Sequence, residues 1–124
     1  MSEASRALGE LGERIAERWL RRGGWQVEAR RFRSGHRDID LVVRRANVVA
    51  FVEVKARRSL DFGDPAAAVG DRKRRELARS GADWIRRFGE PGTAYRFDVV
   101  AVLVQGNEVR VRHVEHAFSA PDPA

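Results

Sequence analysis

The sequence predicts an α/β sandwich, in which helices pack on a mixed β-sheet. Apolar residues recur at helical spacing in two segments, and five shorter runs rich in Val and Phe are bounded by polar or glycine-containing breaks. In chain order these segments give a helix, three strands, a helix and two strands. This alternation favours one layered domain. We assign residues 1–118 to that domain and residues 119–124, which are small and proline-containing, to a disordered tail.

The first element is a helix over residues 5–22. Its apolar residues recur at helical spacing: Leu8, Leu11, Ile15 and Trp19. The pair Gly23-Gly24 ends the helix, and residues 25–32 are typical of a strand. Glu13 belongs to a glutamate stripe beside the apolar face, and such a stripe is ordinarily a solvated surface with salt bridges to neighbouring arginines.

The next two strands carry charges within apolar runs. Residues 38–43 and 48–55 are β-prone, with a polar break between them. Asp40 heads the first run, and Glu53 and Lys55 close the second. Each uncompensated charge buried in such strands costs on the order of several kcal/mol. A divalent cation would compensate two facing carboxylates.

The parity of the intervening loop decides whether the carboxylates meet. Side chains alternate along a strand, so Glu53 and Lys55 share one face. An even loop places Asp40 on that face as well, whereas an odd loop places it on the other face. The sequence leaves both open. In the even case the two carboxylates lie opposite or diagonal, about 7–8 Å apart by backbone, and can close around one cation.

The second half of the chain predicts a helix and two strands. Residues 65–88 have a helical pattern, interrupted near Gly70. Residues 95–104 form a continuous apolar run that predicts a buried strand. After a glycine-containing turn, residues 108–114 alternate as an edge strand does.

Composition excludes several classes of protein. The absence of cysteine excludes disulfides, zinc–thiolate sites and iron–sulfur clusters. The apolar runs are too short to span a bilayer, and the N-terminus lacks the apolar core of a signal peptide. We therefore expect a cytoplasmic protein that has no membrane partner.

The positive charge favours nucleic acid as the partner, DNA before RNA, and leaves a homodimer open. The net charge is +6, and its arginines concentrate in residues 14–37 and 72–87, as expected of a phosphate-binding surface. Arginine occurs 22 times and lysine only at Lys55 and Lys73. An ammonium can shift its pKa and orient a water, which an arginine side chain does not do. We assign nucleic-acid contacts to Arg31, Arg33, Arg37, Arg57, Arg58 and Lys73.

Other candidates for chemistry are weaker. The three histidines have no partner at metal-ligand spacing, and we interpret them as surface residues: His36, His113 and His116. Asp98 lies in an apolar strand, where we expect a structural ion pair with Arg96 or another arginine. No glycine-rich phosphate loop, nucleophile elbow or zinc signature occurs.

Asp40 followed by Glu53-Val54-Lys55 resembles the signature of the PD-(D/E)xK nucleases. The chain is most similar to the YraN-like family of predicted bacterial endonucleases, which are related to archaeal Holliday-junction resolvases. The shared residues run in order along the chain: Gly12-Glu13, Ala16, Asp38-Ile39-Asp40-Leu41, Phe51-Val52-Glu53-Val54-Lys55, Arg57, Phe62-Gly63, Pro65, Val69, Lys73, Arg96-Phe97-Asp98-Val99 and Ala117-Phe118. One departure is that Arg37-Asp38 stands where the family usually has Gly-Glu.

The resemblance implies a restriction-endonuclease-like αβββαβ sandwich, with a central mixed β-sheet flanked by helices. It further implies that Asp40, Glu53 and the carbonyl of Val54 hold Mg²⁺ or Mn²⁺. Lys55 would position or activate the attacking water. Glu13 would complete the catalytic set from the first helix.

Two hypotheses about function follow. The first is a metal-dependent endonuclease that hydrolyses phosphodiester bonds of DNA, with branched or junction DNA among its substrates. The alternative is a non-catalytic nucleic-acid-binding protein on a nuclease-like scaffold, because a fold does not guarantee an activity. An enzyme that acts on RNA is a third reading. Nuclease assays on linear and branched substrates separate these hypotheses.

Overall fold

The computed structural model describes residues 2–35, 37–59 and 64–119. The described chain forms two α-helices, a short 3₁₀ helix and five strands. Their bounds are α1 Glu3–Arg22, β1 Gln26–Phe32, β2 Ile39–Arg45, β3 Val48–Arg57, the 3₁₀ helix Pro65–Ala68, α2 Asp71–Phe88, β4 Ala94–Gln105 and β5 Glu108–Phe118. This order confirms the predicted α/β sandwich. The predicted tail beyond Ser119 and the Phe62-Gly63 pair lie outside the described residues.

The five strands form one mixed sheet in the order β1-β2-β3-β4-β5. Strands β3 and β4 pair in parallel, and the other neighbours pair antiparallel. A parallel pair needs a long crossover, and α2 lies within the connection from β3 to β4. The crossover places α2 against the sheet. No helix in the described part of the chain is long and apolar enough to span a membrane.

The two helices cover different sets of sheet residues. On β3, Val49 and Phe51 pack in a cluster with Leu77 of α2. The intervening Ala50 and Val52 pack in a second cluster with Ala16 and Leu20 of α1. Because side chains alternate along a strand, α1 and α2 lie on opposite faces of the sheet. We refer to these as the α1 face and the α2 face.

Glycines set how closely the helices approach the sheet. A Cβ added at Gly12 of α1 would lie 2.6 Å from the Cβ of Ala56 on β3. A Cβ at Gly81 of α2 would lie 3.1 Å from ring atoms of Phe51 and Phe97. Any larger residue at Gly12 must therefore displace α1, because Ala56 has no flexible side chain that could move aside.

The boundaries differ from the sequence prediction mainly at β5. The second helical segment is interrupted as predicted, since Gly70 is extended and precedes α2. Strand β5 continues to Phe118, four residues past the predicted end at residue 114. Its pairing with β4 shifts register between Phe97 and Val99. A bulge of this kind breaks the alternating pattern from which a strand is predicted, so the sequence prediction stopped short.

Candidate active site

The hairpin between β2 and β3 sets the positions of the two predicted metal ligands. Arg45 pairs with Val48, so the turn contains two residues, Ala46 and Asn47. Ala46 has a φ of 54°, as tight two-residue hairpin turns require. The loop is thus even, and the register runs back to Leu41 opposite Val52. One further step sets Asp40 opposite Glu53.

Both carboxylates lie on the α2 face. Val42 and Phe51 are paired neighbours of Asp40 and Glu53, two residues away on each strand, and both belong to the core cluster under α2. Alternation places Asp40 and Glu53 on the same face. A contact from α2 agrees with this placement, since Lys73 Nζ lies 2.7 Å from Glu53 Oε1.

Asp40 is held in place by the main chain of β3. The N–H of Val54 donates a hydrogen bond of 2.8 Å to Asp40 Oδ2. Burial and the charge of Glu53 raise the pKa of Asp40 to about 7, although the Val54 hydrogen bond acts in the opposite direction. The site therefore disfavours a second negative charge beside Glu53 in the absence of a cation.

Both lysines of the chain converge on Glu53. Lys55 Nζ lies 3.5 Å from Glu53 Oε1, and Lys73 Nζ contacts the same oxygen. Glu53 itself is 8% exposed. Burial and the neighbouring Lys73 side chain lower the pKa of Lys55 to about 8. Near neutral pH, Lys55 is consequently closer to giving up a proton than an exposed lysine is.

Glu13 lies near this group but has its own partner. The close packing of Gly12 on Ala56 brings this part of α1 against β3. The charge of Glu13 contributes to the raised pKa of Asp40, while its Oε1 accepts a hydrogen bond of 3.2 Å from Arg31 Nε. Among the described residues, no group of three or more His, Asp or Glu side chains is arranged to hold a metal ion. The site thus offers two carboxylates rather than three.

Two facing carboxylates suit a magnesium ion. Magnesium is commonly bound by one or two carboxylates, and it keeps several waters and takes phosphate oxygens as its other ligands. Asp40 and Glu53 are the residues that could hold it. A cation between them would relieve the repulsion that raises the pKa of Asp40. Ligation by the Val54 carbonyl, and a catalytic role for Glu13, stay predictions.

The basic residues predicted to contact nucleic acid differ in their surroundings. Arg57 and Arg58 are exposed at and just beyond the end of β3. Arg37 forms a 2.7 Å ion pair with Glu76 of α2, and Lys73 forms an ion pair with Glu53. The sequence therefore did not reveal that Lys73 belongs to the carboxylate group itself. The sequence feature that could have indicated this role of Lys73 is the rarity of lysine in an arginine-rich chain.

The remaining two predicted contacts, Arg31 and Arg33, are exposed and paired with acidic residues. Arg31 pairs with Glu13 of α1. Arg33 lies 3.9 Å from Asp38, the residue at which the chain departs from the usual family motif. The side chain of Asp38 is half-exposed. Contacts of both arginines with phosphates stay predictions.

Asp98 forms a second buried charge cluster, on the α1 face. Arg96 Nη2 donates a hydrogen bond of 3.1 Å to Asp98 Oδ2, which confirms the predicted ion pair. His113 Nε2 lies 2.7 Å from the same oxygen, and the N–H of His116 donates to Oδ1. The interpretation of His113 as a surface residue is therefore wrong, because its pairing with Val100 places its ring on the same face as Asp98 and leaves the side chain 11% exposed. His116 is exposed, as expected, and His36 lies outside the described residues.

The five-stranded mixed sheet, with a helix on each face and with Asp40 facing Glu53, has the restriction-endonuclease-like architecture. Residues 12–102 match the family described as "Uncharacterised protein family UPF0102". The chain belongs to the UPF0102 family, and its resemblance to the YraN-like proteins is confirmed.

Relatives in this family are similar over most of the chain. A UPF0102 protein of Nocardia farcinica is 42% identical over 113 residues, covering 90% of this chain and 89% of the relative. A UPF0102 protein of Chloroherpeton thalassium is 39% identical over 115 residues, covering 93% and 84%. One of Trichlorobacter lovleyi is 38% identical over 120 residues, covering 95% and 94%. The similarity therefore extends over the whole fold.

Proposed function

We propose that this protein is a metal-dependent endonuclease that hydrolyses phosphodiester bonds of DNA, including branched DNA, in the cytoplasm. One observation carries the proposal. Asp40 and Glu53 face each other on adjacent strands, and the two lysines of the chain contact Glu53. A purely structural cluster would have its charges neutralised internally. Here Asp40 keeps a pKa of about 7, and strongly perturbed groups of this kind concentrate at functional sites.

The side chains have separable roles in hydrolysis. A bound Mg²⁺ would lower the pKa of a coordinated water and stabilise charge on the phosphate. Asp40 and Glu53 would hold that ion, and the Val54 N–H would keep the Asp40 carboxylate oriented toward it. Lys55, with its lowered pKa of about 8, would orient the attacking water and accept a proton from it. Lys73 would fix the rotamer of Glu53 from α2.

Backbone phosphates would be held by the exposed arginines. Arg57 and Arg58 follow Lys55 at the end of β3, so a phosphate near Lys55 would have further cations beside it. Arginine contacts to phosphate position a duplex without reading its bases. We therefore expect cleavage to depend on the shape of the DNA more than on its sequence.

The direct test is a cleavage assay with the full chain on linear, flapped and four-way-junction DNA and on RNA of matched sequence. Reactions contain Mg²⁺, Mn²⁺ or EDTA. We expect cleavage of at least one DNA substrate with Mg²⁺ or Mn²⁺ and none with EDTA. Cleavage of RNA but not of DNA would make RNA the proposed substrate. No cleavage of any substrate, by protein that is folded and still binds DNA, would overturn it.

A non-catalytic nucleic-acid-binding protein is the second candidate. It is favoured by the engagement of Glu13 with Arg31 and by the presence of only two acidic side chains at the site within the described residues. Under this reading, Lys73 would be a permanent counter-ion of Glu53. The same assay decides between the two, because such a protein would bind junction DNA and leave it intact with either metal.

A further inference from the structure

A groove of about 490 Å³ runs between α1 and the edge strand β5. Leu11 and Ile15 of α1 and Val111 of β5 line it, and all three pack against the core of the α1 face. The groove therefore opens on the face of the sheet opposite Glu53 and Lys55. We call it the Trp19 groove, after its largest side chain.

Trp19 presents an indole to solvent in this groove. The side chain is 46% exposed, and the neighbouring Val109 is 48% exposed. The other two tryptophans of the chain, Trp25 and Trp84, are buried at 4% and 8%. Exposed aromatic residues beside apolar ones mark interaction sites more often than isolated exposed residues do. Trp19 is thus available to a ligand.

A row of arginines borders the same groove. Arg14, Arg18 and Arg22 line it and follow one another at intervals of four residues on α1, which places their Cα atoms about 6 Å apart along the helix. None of the three forms a salt bridge with any carboxylate of the described residues. By contrast, Arg21 of α1 and Arg30 of β1 both pair with Glu17. The groove therefore combines uncompensated positive charge with an exposed aromatic ring.

We propose that the Trp19 groove binds single-stranded nucleic acid. A base would stack on the Trp19 indole, and successive phosphates would contact Arg14, Arg18 and Arg22, as in other surfaces that track a single strand. The inference rests on the nucleic-acid partner of the proposed function. It adds a second contact, separate from the cleavage site, and a preference for substrates in which an unpaired strand leaves a duplex.

Charge argues against a second copy of this chain as the occupant. In a two-fold contact the same surface meets itself, so the arginine row would face its own copy. The chain also carries a net charge of +6. A polyanion relieves this repulsion, whereas self-association would increase it.

The experiment measures the fluorescence anisotropy of a labelled oligothymidylate, about 15 nucleotides long to match the site size of single-strand binders, in EDTA. We expect Trp19→Ala to weaken binding at least about fivefold, from the loss of one stacked base. Trp19→Phe should retain most of the affinity. Equal melting temperatures of the variants would show that they are folded, as expected for a side chain at the surface.

A charge-matched pair locates the bound strand. Arg18→Glu changes the groove, whereas Arg112→Glu makes the same charge change on β5, on the opposite face from Val111 by strand alternation. We expect Arg18→Glu to weaken binding several-fold more than Arg112→Glu. Equal effects of the pair, or an unchanged affinity of Trp19→Ala, would overturn the inference. So would a dimer, seen by sedimentation, that Trp19→Ala dissociates without loss of oligonucleotide binding.

Failure of this inference is distinguishable from failure of the proposed function. If Trp19→Ala still binds the single strand as the wild type does, while the wild type cleaves DNA with Mg²⁺, the groove assignment alone is wrong. If the wild type cleaves nothing but Trp19→Ala loses the single strand, the nuclease proposal is wrong and the groove assignment stands.

Discussion

Two charge clusters lie on opposite faces of this sheet, and they are built in opposite ways. Asp98 on β4 accepts hydrogen bonds from His113, His116 and Arg96. Burial alone would raise its pKa, but these partners lower the pKa below its ordinary value. Asp40 on β2 receives one backbone hydrogen bond and faces Glu53, so burial and that charge raise its pKa to about 7. The negative charge of Asp98 is fully compensated by neighbouring groups of the fold, whereas that of Asp40 is not.

We interpret this difference as one between a structural charge and the functional charge that the proposed function requires. The Asp98 cluster joins β4 to the bulge of β5, where pairing shifts register, and it supplies hydrogen bonds that the bulge removes from the ladder. The Asp40 cluster does not bridge a bulge of this kind. Its carboxylates repel each other in a site that a cation would stabilise, which is the arrangement expected where stability is given up for activity. Variants of the two clusters test this distinction.

Replacement of Lys55 by Ala should have the largest effect, on cleavage. We expect a loss of at least about 10³-fold in the rate of Mg²⁺-dependent cleavage, the range for removal of a positioned proton acceptor or charge-stabilising group. DNA binding should stay nearly unchanged, since one charge among 24 basic residues is removed. Single-turnover cleavage and a filter-binding titration measure the two quantities. A variant that cuts as well as the wild type would remove Lys55 from the mechanism.

Asp98→Asn should have the largest effect on stability. The variant keeps the shape of Asp98 but leaves Arg96 without its buried counter-charge, and loss of one partner of such a pair costs about 3–5 kcal/mol in the free energy of unfolding. Because the pKa of Asp98 is lowered, this contribution is present above the ordinary carboxyl pKa and is lost as the pH falls through the folded value. Urea unfolding at pH 8 and at a pH below 3.8, the ordinary aspartate value, measures it. Equal stability at pH 8 would contradict a structural role.

Asp40→Asn should increase the stability of the protein, whereas Asp98→Asn should reduce it. The folded pKa of about 7 lies above the ordinary aspartate value of 3.8, so the stabilising protonated form is fully present below the unfolded pKa and is lost as the pH rises through 7. Without divalent metal at pH 8, we expect the Asn variant to be at least about 1 kcal/mol more stable than the wild type. The difference should vanish near pH 4, and Mg²⁺ should narrow it by stabilising the wild type. A destabilised variant at pH 8 would mean that Asp40 is already compensated.

Glu13→Gln should have the smallest effect. Its carboxylate pairs with Arg31 and adds a minor part to the raised pKa of Asp40. We expect cleavage to fall less than about tenfold, since a charge that acts at a distance contributes about 1 kcal/mol or less. Glu10→Gln, an exposed glutamate one turn earlier on α1, is the matched control. A loss as large as that of Lys55→Ala would make Glu13 a direct metal ligand.

The sequence by itself determined the element order and singled out Asp40, Glu53 and Lys55 of the central site. The helical spacing of α1 and the β-branched runs around Asp40 and Glu53 placed each element within a few residues, because local periodicity reports which face an element buries. The same alternation put Glu53 and Lys55 on one face. The rarity of lysine in the chain drew attention to Lys55 and Lys73, although the sequence analysis placed only Lys55 with the two carboxylates.

Only the tertiary structure decided which distant residues meet. The two-residue turn at Ala46 and Asn47 set Asp40 opposite Glu53, a choice of parity that the polar break between the strands did not specify. The crossover brought Lys73 onto Glu53, and the pairing of β5 with β4 brought His113 onto Asp98. These contacts join residues separated by 20 and 15 positions. Periodicity describes one element at a time, so such contacts follow from the packing of elements against each other.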